Sequence, residues 1–115
     1  MMSALLHTHL QGVQIRLRHI RNGTELPPVF EDNNYDFNYQ DNRFKNPPVT
    51  LLPGDELLLE CVYQTTNKDK PVFGGFATTN EMCFAFANYY PKNDIIGCGS
   101  RPLGPTLAKG VDAEM

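Results

Sequence analysis

Two histidines separated by one residue are the first candidates for chemistry in this sequence. His7 and His9 flank Thr8 in the run "LLHTHLQG". On a β-strand, residues i and i+2 point to the same face, so an H-x-H pair lets one strand present two imidazole nitrogens to a metal ion. The apolar neighbours Leu6 and Leu10 disfavour two merely solvated histidines. His7 and His9 are therefore candidate metal ligands that need a third donor from elsewhere.

The third donor has several possible sources: one further histidine, three cysteines, four methionines and the acidic residues. His19 lies between Arg18 and Ile20 in an alternating segment, and we interpret it as an exposed basic strand residue. Core packing is the usual role of a methionine such as Met82. A thioether beside two imidazoles is, however, a soft donor set suited to Cu(I). Adventitious zinc is the alternative metal, although Zn²⁺ sites rarely use methionine.

The elements that must position these residues are predicted to be short strands. In the segment 13–18, apolar and basic residues alternate with a period of two, which indicates a half-buried strand. Asn22-Gly23 is typical of a tight hairpin turn. Further strands are expected before Pro53, over Glu56 to Thr65, and within the aromatic segment 72–91, where Gly74-Gly75 indicates a bulge or a close backbone approach. These strands predict an all-β fold, an antiparallel sandwich or jelly roll.

Aromatic residues occur in two groups. In the Asn- and Asp-rich segment 31–48, interpreted as a loop or irregular strand, the spacing predicts four packing anchors: Tyr35, Phe37, Tyr39 and Phe44. In the second group, core packing is the ordinary role and lining a pocket is the alternative; its members are Phe84, Phe86, Tyr89 and Tyr90.

The composition limits the possible functions. With 115 residues and 41% hydrophobic residues, the chain suits one globular domain, which we place over residues 1–100, with a flexible tail over 101–115. The net charge of −3 and the absence of basic clusters disfavour nucleic acid as a partner. No apolar run reaches the roughly 20 residues of a membrane span. The first residues lack the basic and apolar regions of a signal peptide.

Several short motifs, in order, resemble the C-terminal catalytic domain of the copper type II, ascorbate-dependent monooxygenases, the family that includes dopamine beta-hydroxylase. The motifs are "HTHLQG", "PGDELLLECVY", "GGF", "EMC" and "YYP". The stretch "IRLRHIRNGTELPPVFEDNNYDFNYQ" is most similar to the DBH-like branch. The resemblance implies an eight-stranded antiparallel jelly roll, with His7, His9 and Met82 as ligands of the oxygen-binding copper. It also implies hydroxylation of a substrate C–H bond by O₂, with ascorbate as the reductant.

The resemblance further implies a disulfide between Cys61 and Cys83, which would hold the strand of Met82, and an upstream partner for Cys98. In the family, an N-terminal domain holds a second, electron-donating copper. We therefore expect this chain to be a catalytically incomplete C-terminal fragment of a protein of the secretory pathway, either membrane-associated or extracellular. The alternative is a non-catalytic β-sandwich that binds copper or has a structural role.

Three positions bear on the substrate. Peptide-amidating members carry an arginine where this chain has Leu5, and Asn and Tyr at the positions of Phe84 and Phe86. The resemblance therefore disfavours a glycine-extended peptide and favours a small apolar or phenylethylamine-like substrate. Asn22-Gly23-Thr24 is also an N-glycosylation sequon, although an Asn-Gly pair is equally what a hairpin turn requires.

Overall fold

The computed structural model describes residues 1–99, and their regular structure is almost entirely β-strand. The strands are β1 (Ser3–His7), β2 (Gly12–Arg21), β3 (Thr24–Asp32), β4 (Asn42–Phe44), β5 (Glu56–Tyr63) and β6 (Phe84–Asn88). One short 3-10 helix spans Phe37–Tyr39. The predicted tail, 101–115, lies outside the described residues. No helix in the described part of the chain has the length and hydropathy needed for a membrane span.

The six strands form two antiparallel sheets, with the orders β4-β1-β6 and β3-β2-β5. Side chains from both sheets share one core, which consists of Ala4, Leu6, Ile15, Leu17, Val29, Phe30 and Tyr35. The prediction of an all-β antiparallel sandwich is therefore confirmed. Residues 1–99 contain six strands, however, rather than the eight of the expected jelly roll.

Strand β2 is the centre of its sheet and follows the predicted alternation. Ile15 and Leu17 are buried at 0% and 5% exposure, because apolar residues of period two share the core face. Asn22 and Gly23, with φ of 52° and 74°, form the tight turn into β3. Such a turn requires positive φ at both central residues, so the predicted hairpin is confirmed.

The segment before Pro53 is not the strand that its sequence predicts. Residues 49–52 carry no strand, and Val49 instead bonds to the N-terminal residue: its N–H donates to the Met1 carbonyl at 3.0 Å. The Met1 ammonium donates to the Val49 carbonyl at 2.6 Å. Two prolines precede Val49, and proline cannot donate to a ladder, which disfavours continuous pairing here. The turn at Gly54, with φ of 89°, is as predicted, and β5 ends at Tyr63 rather than Thr65.

The segment 72–91 is less regular than expected. Its only strand is β6, and Gly74 makes an isolated bridge with Glu81. A Cβ placed on Gly75 would overlap the Asn80 side chain, which confirms the predicted close approach at the glycine pair.

Several predicted aromatic anchors are wrong. Tyr35 is buried, but Tyr39 and Phe44 are 80% and 76% exposed. Phe86 and Tyr90 are also more than half exposed, so core packing is wrong for them. Phe44 and Phe86 lie on β4 and β6, the two edge strands of their three-stranded sheet. An edge position can satisfy the strand pattern without burying the ring.

Candidate metal centre

The two candidate histidines flank a clamped, inward-pointing threonine. His7 ends β1, on the face opposite the buried Ala4 and Leu6. Thr8 is fully buried. Its N–H donates to the Tyr35 hydroxyl at 3.1 Å, and that hydroxyl donates to the Thr8 carbonyl at 2.9 Å. With the middle residue fixed inward, both imidazoles lie on the other side, with ring centroids 5.1 Å apart and planes at 86°.

Gly12 closes the turn that follows the histidines. Its N–H donates to the His9 carbonyl at 3.2 Å. A Cβ at this position would overlap the Thr8 hydroxyl, so only glycine allows the chain to pass this close to the clamped threonine. The "HLQG" part of the motif therefore shapes the histidine pair as directly as the histidines themselves.

Both imidazoles are bonded through Nδ1. His7 Nδ1 lies 2.6 Å from Gln40 Oε1, and the amide of Gln40 is oriented by its own donation to the Phe37 carbonyl at 2.8 Å. His9 Nδ1 lies 3.0 Å from the Asn80 carbonyl. Both partners are acceptors, so each Nδ1 carries the proton. In the neutral imidazole with this tautomer, Nε2 is the nitrogen with the free lone pair, which is the atom that can bind a metal.

The register of β1 and β6 brings the segment of Met82 to the histidine pair. The ladder pairs Ser3 with Asn88 and ends with His7 opposite Phe84. Continued by two residues, the same register sets Met82 opposite His9. Directly opposed residues of an antiparallel pair lie about 5 Å apart between Cα atoms. The ladder itself ends before these two residues, but the N–H groups of His9 and Met82 both donate to Glu81 Oε1, which places their backbones close together.

Hydrogen bonds to the backbone of Met82 and the disulfide at the next residue restrain its position. Its N–H donates to Glu81 Oε1 at 3.3 Å, and its carbonyl accepts from the Tyr63 hydroxyl at 2.6 Å. Burial, together with the charge of Glu81, raises the pKa of Tyr63, which keeps this hydroxyl protonated as a donor. On the other side, Cys83 anchors Met82 to β5.

The disulfide Cys61–Cys83 is present, with Cα atoms 5.9 Å apart, so the pairing implied by the family resemblance is confirmed. It joins β5 of one sheet to the residue before β6 of the other. For a sequence separation of 22 residues, the loop-entropy model gives about 3 kcal/mol of stabilisation. Cys98 is exposed and not paired within residues 1–99.

Aromatic rings surround the histidine pair. The Phe37 ring centroid lies 6.4 Å from that of His7 and 6.2 Å from that of His9. The Phe86 ring lies 6.1 Å from His7, and Phe84 lies 5.6 Å from Phe86. The two β6 phenylalanines therefore sit beside the candidate ligands, on the partly exposed outer face of the sheet.

Comparison with known proteins decides the family. The family model for the copper type II ascorbate-dependent monooxygenase, C-terminal domain, matches residues 1–107. The chain belongs to this family. It is 49% identical over 100 residues to DBH-like monooxygenase protein 2 of Mus musculus, covering 87% of this chain and 16% of that protein. For DBH-like monooxygenase protein 1 of Gallus gallus the identity is 42%, over 87% of this chain and 16% of that protein.

A third relative, dopamine beta-hydroxylase of Canis lupus familiaris, is 37% identical over 95 residues, which is 83% of this chain and 15% of that protein. The chain thus spans about a sixth of the length of the curated relatives that it matches. The predicted membership of the DBH-like monooxygenases is confirmed.

The donors present fit the copper of this monooxygenase family. Two imidazoles bonded through Nδ1, together with the thioether of a residue whose backbone lies beside His9, are a soft set of donor types of the kind that Cu(I) prefers. Within residues 1–99, no three His, Cys, Asp or Glu side chains cluster as a metal site.

The interpretation of His19 as an exposed residue is wrong. Its side chain is 4% exposed, and its Nε2 donates to Asp55 Oδ2 at 2.6 Å. Arg21 donates to both oxygens of the same carboxylate, at 2.8 and 2.7 Å. The alternation of β2 itself places His19 on the face of Ile15 and Leu17, so the pattern contained the correct answer and the polar residue type obscured it.

Gln40 and Glu81 are the functional contributors that the sequence motifs did not reveal. Gln40 follows the 3-10 helix in the polar loop and meets His7 across 33 residues of sequence. Glu81 precedes Met82 in "EMC", but its carboxylate binds backbone N–H groups of His9 and Gln11. Both act through contacts distant in sequence, which no local spacing indicates.

Proposed function

We propose that this chain is the oxygen-reacting copper domain of an ascorbate-dependent monooxygenase, with His7 Nε2, His9 Nε2 and Met82 Sδ as the copper ligands. The observation that carries this proposal is the pair of Nδ1 hydrogen bonds to Gln40 and Asn80, which make Nε2 the ring nitrogen left for a metal in each neutral imidazole. Copper bound there would supply the redox chemistry by which O₂ hydroxylates a substrate C–H bond.

The residues of the chain have three tasks in this function. Gln40 and the Asn80 carbonyl hold the Nδ1 protons, so that each imidazole keeps one tautomer and one orientation. Thr8 and Tyr35 fix the backbone between the two histidines. The disulfide at Cys83 restrains the neighbouring Met82.

We propose a small substrate with an aromatic or apolar body, such as a phenylethylamine. The outer face around His7 carries Phe37, Phe84 and Phe86, and Leu5 lies directly opposite Phe86 in the ladder. Aromatic side chains favour offset or edge-on contact with another ring. Leu5 cannot pair with a carboxylate, so this face does not offer the arginine that a C-terminal peptide would need.

The remaining parts of the reaction are proposed by family membership. An N-terminal domain of the same protein would hold the second copper and pass on electrons from ascorbate, so this chain alone is expected to bind copper without productive turnover. We place the protein in the secretory pathway, where the disulfide is stable and Cys98 can find a partner upstream. Asn22, exposed at the hairpin turn, is a proposed glycosylation site.

Copper binding tests the ligand assignment directly. We expect the chain to take up one Cu(I), with two nitrogen scatterers and one sulfur scatterer in X-ray absorption spectra. Met82→Leu conserves side-chain volume and should remove the sulfur scatterer, whereas the control Met2→Leu should keep it. An unchanged sulfur shell in Met82→Leu would overturn the assignment, as would unchanged stoichiometry in a His7→Ala/His9→Ala double variant.

A further inference from the structure

We infer that Glu81 is a positioning residue that fixes His9 and Met82 relative to each other; this rests on the proposed function. Its carboxylate accepts three backbone N–H groups. Oε1 accepts from His9 at 2.9 Å and from Met82 at 3.3 Å, and Oε2 accepts from Gln11 at 2.8 Å. One side chain thus bridges two segments that lie about 70 residues apart in sequence.

The position of this carboxylate explains why such a bridge is needed. The β1–β6 ladder ends with His7 opposite Phe84, so His9 and Met82 lie just beyond the last paired residues. Their N–H groups point at Glu81 instead of at a facing strand. Bonds from N–H groups to a charged carboxylate are stronger than neutral ones. Glu81 therefore continues the connection between the two chains where the ladder stops.

Glu81 is itself anchored from the other side. Its N–H donates to the Phe73 carbonyl at 2.9 Å, and its carbonyl accepts from Gly75 at 3.1 Å. The backbone is held by the loop of the glycine pair, while the side chain is held by the turn after β1. Both carboxylate oxygens are engaged by backbone N–H groups of the histidine and methionine segments, which is the arrangement of a positioning residue.

The consequence for the metal site is specific. Without the carboxylate, His7 remains on β1 and His9 Nδ1 retains the Asn80 carbonyl, so both nitrogen donors persist. Met82 loses the carboxylate oxygen that its N–H shares with the N–H of His9, and the Asn80 carbonyl is then the remaining bond between the two segments. We therefore expect a Glu81 variant to bind one Cu(I) through two nitrogens, with the sulfur scatterer lost or weakened and an affinity lower by about 10- to 100-fold, as for other residues that orient ligands.

Hydrogen exchange of the metal-free chain tests the bridge itself. Glu81→Gln keeps one acceptor oxygen, and Glu81→Ala keeps none. The control is Glu56→Gln, the same change at an exposed carboxylate at the start of β5. We expect Glu81→Ala to lose protection of the His9, Gln11 and Met82 amides together, Glu81→Gln to lose at least part of it, and Glu56→Gln to keep it. Full protection in both Glu81 variants would overturn the inference; if Glu81→Ala does not fold, Glu81→Gln decides.

X-ray absorption of the Cu(I)-loaded variants then tests the coupling to the ligands. Loss of the sulfur scatterer in Glu81→Gln, with one copper still bound, supports it, and an intact sulfur shell with unchanged affinity overturns it. If the unaltered chain shows no sulfur ligand at all, the proposed function fails. In that case the amide protection measured without metal still decides whether Glu81 joins the two segments.

Discussion

The histidines near the two ends of β2 differ in how their rings are hydrogen-bonded. Beside its first residue lies the pair His7 and His9, and near its last lies His19. At about 3.3 Å per residue, Gly12 and His19 are roughly 23 Å apart along the strand. His9 and His19 are equally buried, at 4% and 3% exposure. Burial therefore does not distinguish a candidate ligand from a structural histidine in this protein.

The difference lies in which ring nitrogen is engaged and by what. At the histidine pair, Nδ1 donates to neutral oxygens of Gln40 and Asn80, and Nε2 remains available. At His19, Nε2 donates to Asp55, a carboxylate already bound bidentately by Arg21. We call these last three residues the His19 brace. The brace joins the turn at Asp55 to β2, whereas the hydrogen bonds of the histidine pair engage Nδ1 and leave Nε2 of each ring for a metal.

The strongest test of this comparison is a pair of alanine substitutions, His7→Ala and His19→Ala, which we expect to have opposite effects on copper affinity and on stability. We expect His7→Ala to lower Cu(I) affinity by at least about 100-fold, because loss of even an outer-shell partner costs 10- to 100-fold. His7 is half-buried, so unfolding free energy should fall by less than about 1 kcal/mol. His19→Ala should instead cost about 2 kcal/mol, through a cavity and a lost buried hydrogen bond, and leave copper affinity within about threefold.

Copper titration and urea unfolding of both variants check this exchange of roles. Copper affinity that falls as far in His19→Ala as in His7→Ala would place the brace within the metal site and remove the distinction between the two ends of β2.

The orientation of His7 provides a smaller but sharper test. In Gln40→Ala the Nδ1 proton loses its acceptor, so the ring can rotate or change tautomer. We expect Cu(I) affinity to fall by about tenfold or more with little change in stability. Gln64→Ala, at an exposed glutamine after β5, is the matched control. Equal copper affinities in the two variants would show that Nδ1 bonding does not prepare His7 for the metal.

Much of the fold was predictable because it is local. The period-two pattern of β2 and the Asn22-Gly23 turn specify a hairpin through backbone preference alone, and both are observed. The strand predicted before Pro53 failed because its residues have β propensity but follow two prolines and pair only with the N-terminal residue. A strand requires a partner ladder, which residue types within the strand do not report.

The candidate site was predictable as a set of residue types but not as an arrangement. H-x-H on a strand already gives two nitrogens on one face, and the family resemblance supplied Met82. The contributions of Gln40 and Glu81 depend on contacts across 33 and about 70 residues, which follow from the sheet register. The prediction that His19 is exposed was wrong for a different reason. Its partner Asp55 lies 36 residues further along the chain, and the hydrogen bond between them allows a polar ring to be buried.

Acid should weaken the His19 brace through its carboxylate, Asp55. Arg21, with the Leu52 N–H and His19, holds the pKa of Asp55 well below its ordinary value of 3.8. As pH falls below about 4, the unfolded chain takes up this proton before the folded chain does, so the contribution of the brace is full at neutral pH and is lost only in stronger acid. Urea unfolding from about pH 7 to pH 3 should show Asp55→Asn less stable than the unaltered chain at neutral pH, with a dependence below pH 4 that is shallower by up to about one proton. Parallel curves for the two proteins would mean that Asp55 is not the group that couples the brace to pH.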